Sequence, residues 1–181
     1  VLFYDVDLPT SLPEHGGFTF NYYPGSDLSE FDSILVTSEG SISRLKELGA
    51  ENVETVHIGI DPDEYVPIDI EKDIDFLMCG LPSDRRRQLT EEISASGHEV
   101  YYPEMSLPTY LRDALMERSK INLSLQKTES HNTISVTRIC HSVINRVPLL
   151  LEHSGPENFY SDLCIIAEVG GVLEKAQECM S

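Results

Sequence analysis

Five short apolar runs, separated by segments of helical character, constrain this chain more than any other feature. They are IDFLMCG (74–80), HEVYY (98–102), INLSL (121–125), VPLLLE (147–152) and LCIIAE (163–168). The runs are continuous rather than alternating, which predicts strands covered on both faces. Between and after them lie helical segments at 83–97, 107–119, 131–145 and 169–181, with a short helix or turn at 155–162. Strict strand–helix alternation with short connections predicts parallel strands and right-handed crossovers. Residues 74–181 therefore read as a doubly wound α/β domain of about five strands.

A less complete version of the same pattern comes first. VLFYDVD (1–7), SILVTS (33–38) and VETVHIG (53–59) read as strands. Residues 39–50 read as a helix, capped by Ser41 or Ser43 and ended by Gly49. Residues 8–31 are rich in Pro, Gly, Ser and aromatics and read as loop, with a short strand at Phe18–Asn21. The acidic stretch 60–73 contains Pro62 and Pro67, lacks helical periodicity and reads as a linker. Two or three strands are too few for a full sheet. Residues 1–66 thus read as part of one α/β lobe and 67–181 as a complete second one. The chain enters its first strand abruptly, with neither a basic leader region nor an initiator methionine. That reads as a start inside a larger fold, not as a signal peptide.

Charge narrows the function classes. With 31 acidic and 13 basic residues the formal net charge is −18, so a nucleic-acid backbone would be repelled and general nucleic-acid binding is not expected. A small anion held by a local group of arginines stays open. No segment approaches the run of about 18 apolar residues that crosses a membrane. Cys79, Cys140, Cys164 and Cys179 form no CxxC pair and read as free thiols of a reducing compartment, hence a cytoplasmic protein. The six histidines show no HxH or HExxH spacing, so no metal site is expected. The lack of a P-loop, GxGxxG or GxSxG speaks against NTPase, dehydrogenase and hydrolase chemistry.

Several residues then stand out. Ser83 or Asp84 caps the helix that carries Arg85, Arg86 and Arg87, just after Gly80-Leu81-Pro82. A helix N-terminus attracts anions, and a glycine lets backbone approach a diphosphate. The alternative for these arginines is a solvated cluster with surface ion pairs. Arg138 and His141 lie three apart on the 131–145 helix and share a face. Arg138 suits a phosphate, or an acid on a neighbouring helix; His141 suits a ligand, or a satisfied core. Thr133 and Ser135 begin that helix and either cap it or turn backbone N–H groups toward a ligand. Tyr102 ends a strand, where it stacks on a base or packs at the rim. Asp5 and Asp7 end the first strand on one face, and His15 follows in the loop. Asp7 and His15 are the candidates for acceptor binding or base catalysis, with a solvated strand end as the alternative.

These pieces, in order, resemble the group 1 glycosyltransferases of GT-B fold, in the bacterial and archaeal branch grouped with spore-maturation proteins. The matching segments are Asp7-Leu8-Pro9, Phe31-Asp32-Ser33-Ile34-Leu35-Val36-Thr37, Leu48-Gly49-Ala50 and Asp61-Pro62-Asp63-Glu64-Tyr65-Val66-Pro67. They continue with Asp75-Phe76-Leu77-Met78-Cys79-Gly80 and Arg85-Arg86-Arg87, then Ser119-Lys120-Ile121-Asn122-Leu123, and finally Arg138 to Pro148. The resemblance implies a GT-B-like fold: a complete C-terminal Rossmann-like lobe, preceded by part of an N-terminal one. It also implies a nucleoside-diphosphate-sugar donor held by the second lobe, an acceptor, and glycosyl transfer with no required cofactor or metal. The donor-side residues it implies are Gly80, Arg85, Arg86, Tyr102, Thr133, Ser135, Arg138 and His141. Three departures stand out. His141 replaces a glutamate expected to bond the donor ribose, and Arg146 replaces a glycine. Thr133 stands where the wider family has a further glutamate. Two functions follow as expectations: a glycosyltransferase or its donor-binding portion, and a non-catalytic binding or interaction module derived from that fold.

Overall fold

A computed structural model describes residues 1–6, 27–61, 63, 70–129, 133–153, 155 and 159–181. The expected strand at Phe18–Asn21, together with Asp7 and His15, lies outside the described residues. Two compact units result: Val1–Gly59 with His131–Val136, and Ile60–Ser130 with Thr137–Ser181. The division after Gly59, and the assignment of 131–136 to the first unit, differ from a single cut after residue 66.

The first unit contains a parallel sheet of three strands, β1 (Leu2–Asp5), β2 (Ser33–Val36) and β3 (Val53–Thr55), in that order. Ile34 and Val36 from the central strand pack with Leu45 of α1 (Ile42–Glu47) and with Leu28, Ala50 and Val53. The expected cap of α1 does not form: Ser41 precedes the helix, but its hydroxyl is buried and bonds nothing. A 3-10 turn at Glu39–Ser41 leads into the helix instead. The helix ends as expected at Gly49, which has φ +106°. The Ala50 N–H donates to Leu45 and the Gly49 N–H to Lys46, the double closure of a Schellman motif.

The second unit is a five-stranded, all-parallel sheet. Its strands are β4 (Ile74–Leu77), β5 (Val100–Tyr101), β6 (Ser119–Ser124), β7 (Leu149–Glu152) and β8 (Ile165–Ala167), in spatial order β5-β4-β6-β7-β8. The helices are α2 (Asp84–Ala95), α3 (Thr109–Glu117), α4 (Val136–Ile144) and α5 (Val172–Met180). Phe76 and Met78 pack with Ile93 of α2 and Val172 and Ala176 of α5. Leu77 and Cys79, pointing the other way, pack with Met116 of α3 and with Val147. Apolar faces on both sides explain why the strands read as continuous apolar runs. This is a Rossmann-like arrangement in general kind. Its strand order reverses between β4 and β6, and such a reversal opens a crevice at the carboxyl ends of those two strands.

α4 ends with the same motif as α1. The Val147 N–H donates to Ser142 and the Arg146 N–H to Val143, which puts Arg146 at φ +52°. A side chain in this conformation costs about 1–2 kcal/mol, and Arg146 is exposed, so nothing it packs against offsets that. Arg146→Gly is expected to raise stability by about 1 kcal/mol, read as a higher urea midpoint at unchanged slope. A lower midpoint would show that the guanidinium matters more than the backbone.

Candidate active site

Three consecutive arginines leave the crevice with three different partners. Ser83 caps α2 as expected, its hydroxyl accepting from the Arg86 N–H at 3.2 Å. Arg87 points outward and pairs with Asp84 and Glu104. Arg85 turns under the sheet edge to Glu152, the last residue of β7. Its Nη1 donates to Glu152 Oε2 at 2.6 Å, and its Nη2 to Oε1. The Glu152 side chain is wholly buried. It also accepts the Gln126 N–H at 2.9 Å, while Arg85 reaches the Gln126 carbonyl at 3.2 Å. The carboxylate raises the Arg85 pKa through these hydrogen bonds. Arg85 is therefore committed to a bidentate ion pair.

Arg86 is held differently. Its Nε donates to the Leu125 carbonyl at 3.0 Å and its Nη1 to the Leu81 carbonyl at 2.8 Å. Arg138, on α4, donates to the Cys79 carbonyl at 2.9 Å and to Ser124 Oγ at 3.0 Å. The two guanidiniums thus sit at the carboxyl ends of β4 and β6, clamped by neutral oxygens. Among the described residues no carboxylate lies within ion-pair distance of either. Desolvation lowers the pKa of both, and the Arg86 charge adds to the effect on Arg138, which is pushed down to about 10. Two like charges this close repel by a few kcal/mol at the effective dielectric of a protein surface.

Gly80 makes room for them. A methyl group built on it would lie 3.0 Å from Arg138 Nη2 and 3.6 Å from Arg86 Nη1, and its φ of +155° disfavours a side chain. The glycine lets both cations converge on one strand end. Tyr102 closes the β5 side. Its ring packs on the core, and its hydroxyl donates to the Leu81 carbonyl at 3.1 Å, the oxygen that Arg86 also uses. Burial pushes the Tyr102 hydroxyl pKa up.

The other candidates fall elsewhere. His141 is half-buried one turn along α4 from Arg138, and its carbonyl accepts from the Asn145 backbone and side chain. Thr133 and Ser135 precede α4 in the segment assigned to the first unit. The Thr133 hydroxyl bonds nothing, so the expected cap of α4 is not made there. Asp5 is buried at the end of β1. Among the described residues no three His, Cys, Asp or Glu side chains gather as metal ligands, and the four cysteines form no disulfide. A cavity of about 450 Å³ opens at the opposite, amino ends of β6, β7 and β8, and none of the candidate residues line it.

Sequence reasoning missed Glu152, Ser124 and Gln126. Glu152 carried a signal, a carboxylate ending an apolar run. Its partner, however, is 67 positions away.

No protein-family model matches this chain, and comparisons with curated proteins and with solved structures find no match.

Proposed function

We propose that the second unit binds the diphosphate of a nucleoside-diphosphate sugar, and that the protein transfers the sugar to an acceptor hydroxyl. One observation carries this reading. Arg86 and Arg138 converge at the strand-order reversal, and among the described residues neither has a carboxylate within ion-pair distance. Paired, desolvated cations on an acidic protein are stable only at a cost, and a dianion placed between them removes it. The chemistry asked of the protein is modest: it positions the donor and stabilises charge on the leaving diphosphate.

A ligand that binds only the folded state must raise the melting temperature. At a hundredfold excess over Kd the gain is about 2.7 kcal/mol, or about 5–10 °C for a chain of this size. Pyrophosphate, UDP and GDP are the probes. No shift with any of them would sink the reading.

His141 in place of an expected glutamate supports a second reading, a donor-binding module without transfer. The two part at turnover. Release of nucleoside diphosphate from a bound nucleotide sugar, in the presence of an acceptor, supports the transferase. Binding without release across an acceptor panel supports the module.

A further inference from the structure

β6 carries a polar column on the face covered by α4. Ile121, Leu123 and Leu125 point into the core shared with α2 and α5. The residues between them point the other way. Asn122 Nδ2 donates to Ser142 Oγ at 2.7 Å, and Ser124 Oγ accepts from Arg138 at 3.0 Å. As the strand advances by two residues the antiparallel helix steps back by four, one rung per helical turn. Gln126 is the next rung. Gln126 lies just past the end of β6, and the alternation, which holds through Leu125, places it one step beyond Arg138, past the start of α4.

That rung is incomplete. Gln126 is only 6% exposed, yet neither its side-chain oxygen nor its nitrogen has a hydrogen-bond partner. Its backbone is engaged on both sides, by Glu152 and by Arg85, so the residue is fixed in place. A buried amide with both ends unpaired is costly, and a ligand that pairs both ends removes that cost.

We propose that Gln126 reads a vicinal diol on the sugar attached directly to the diphosphate, which makes it a specificity-determining residue. The inference rests on the diphosphate reading above. Two steps along a strand span about 6.7 Å, roughly one sugar unit out from a phosphate held by Arg138. An amide offers one donor and one acceptor, and each hydroxyl of a diol is both, so the pair matches in either orientation of the amide. A neutral amide also avoids a second negative charge beside Glu152. The diol belongs either to the nucleoside ribose or to the transferred sugar.

The test uses the full chain with pyrophosphate, UDP, 2′-deoxy-UDP and UDP-glucose, and the same series with guanine. Gln126→Met is expected to keep pyrophosphate affinity within about twofold and to lose about tenfold for UDP and UDP-glucose if the diol is the ribose, or for UDP-glucose alone if it is the transferred sugar. If the diol is the ribose, the native protein prefers UDP to its 2′-deoxy form and the variant does not. If it is the transferred sugar, the variant loses the preference for UDP-glucose over UDP. Unchanged nucleotide affinity in Gln126→Met, with pyrophosphate bound, overturns the assignment and leaves the diphosphate site standing. A native protein blind to pyrophosphate and nucleotides alike overturns both. Should Gln126→Met lose pyrophosphate as well, Gln126→Asn decides. It withdraws the amide by one methylene, and intact diol discrimination in it overturns the assignment.

Discussion

Arg138→Met is expected to abolish the response to pyrophosphate and nucleotides while leaving the unliganded protein at least as stable as the native one. The guanidinium donates two hydrogen bonds to neutral oxygens and faces Arg86, with no carboxylate in ion-pair distance among the described residues. Losing those two bonds costs about 1 kcal/mol each. Against this stands a pKa lowered to about 10 by desolvation and by Arg86, so the charged form opposes folding. That opposition is complete at neutral pH. It fades as pH rises through about 10, because the unfolded chain then holds the proton more tightly than the folded one. Methionine fills similar space without the charge. For the ligand the balance is reversed. A charge-assisted contact to phosphate contributes about 3 kcal/mol, so Kd is expected to rise by more than a hundredfold. Thermal melts with and without pyrophosphate give both numbers. A variant that binds as tightly as the native protein removes Arg138 from the site.

Glu152→Gln is the opposite case, a large loss of stability from a change that keeps shape. The wholly buried carboxylate receives both nitrogens of Arg85 and the Gln126 N–H. Removing one partner of such a pair strands the other, and a loss of about 3 kcal/mol is expected. Arg85 is 18% exposed and recovers part of its hydration, which holds the figure near the low end. Domains of this size are stable by about 5–15 kcal/mol, so the urea midpoint should fall visibly. In Arg85→Met with Glu152→Leu both charges go together, and the double variant should be well short of the sum of the singles. A Glu152→Gln midpoint within 0.5 kcal/mol of native would mean that the pair contributes nothing net.

Local chemistry was legible where one segment decides it. The apolar runs and their spacing fixed the five parallel strands of the second unit, because only a sheet covered on both faces needs them. Ser83 and Gly49 were readable as helix punctuation because caps act within a few residues. Ser41 was not, since a 3-10 turn precedes α1 and carries the serine into the interior. Arg86 and Arg138 stood out as cations beside glycine and on an apolar helix. What sequence could not show is how the three arginines divide. Arg85 is neutralised by Glu152 and Arg87 by Asp84 and Glu104, and only strand order brings Glu152 within reach. Gln126 was invisible for a related reason, because its backbone partners come from two other elements.

The bond from Arg85 to Glu152 also bears on how the chain assembles. It joins positions 67 apart and crosses from the start of α2 to the end of β7. Contacts at such separation form late, after the intervening strands have docked, because loop-closure entropy must be met first. The first turn of α2, which in an isolated helix would fray, is thereby tied into the cooperative unit. The Arg86 and Arg87 amide hydrogens, which bond Ser83 in that turn, should exchange with solvent only on global opening, at the rate of the central strand β6.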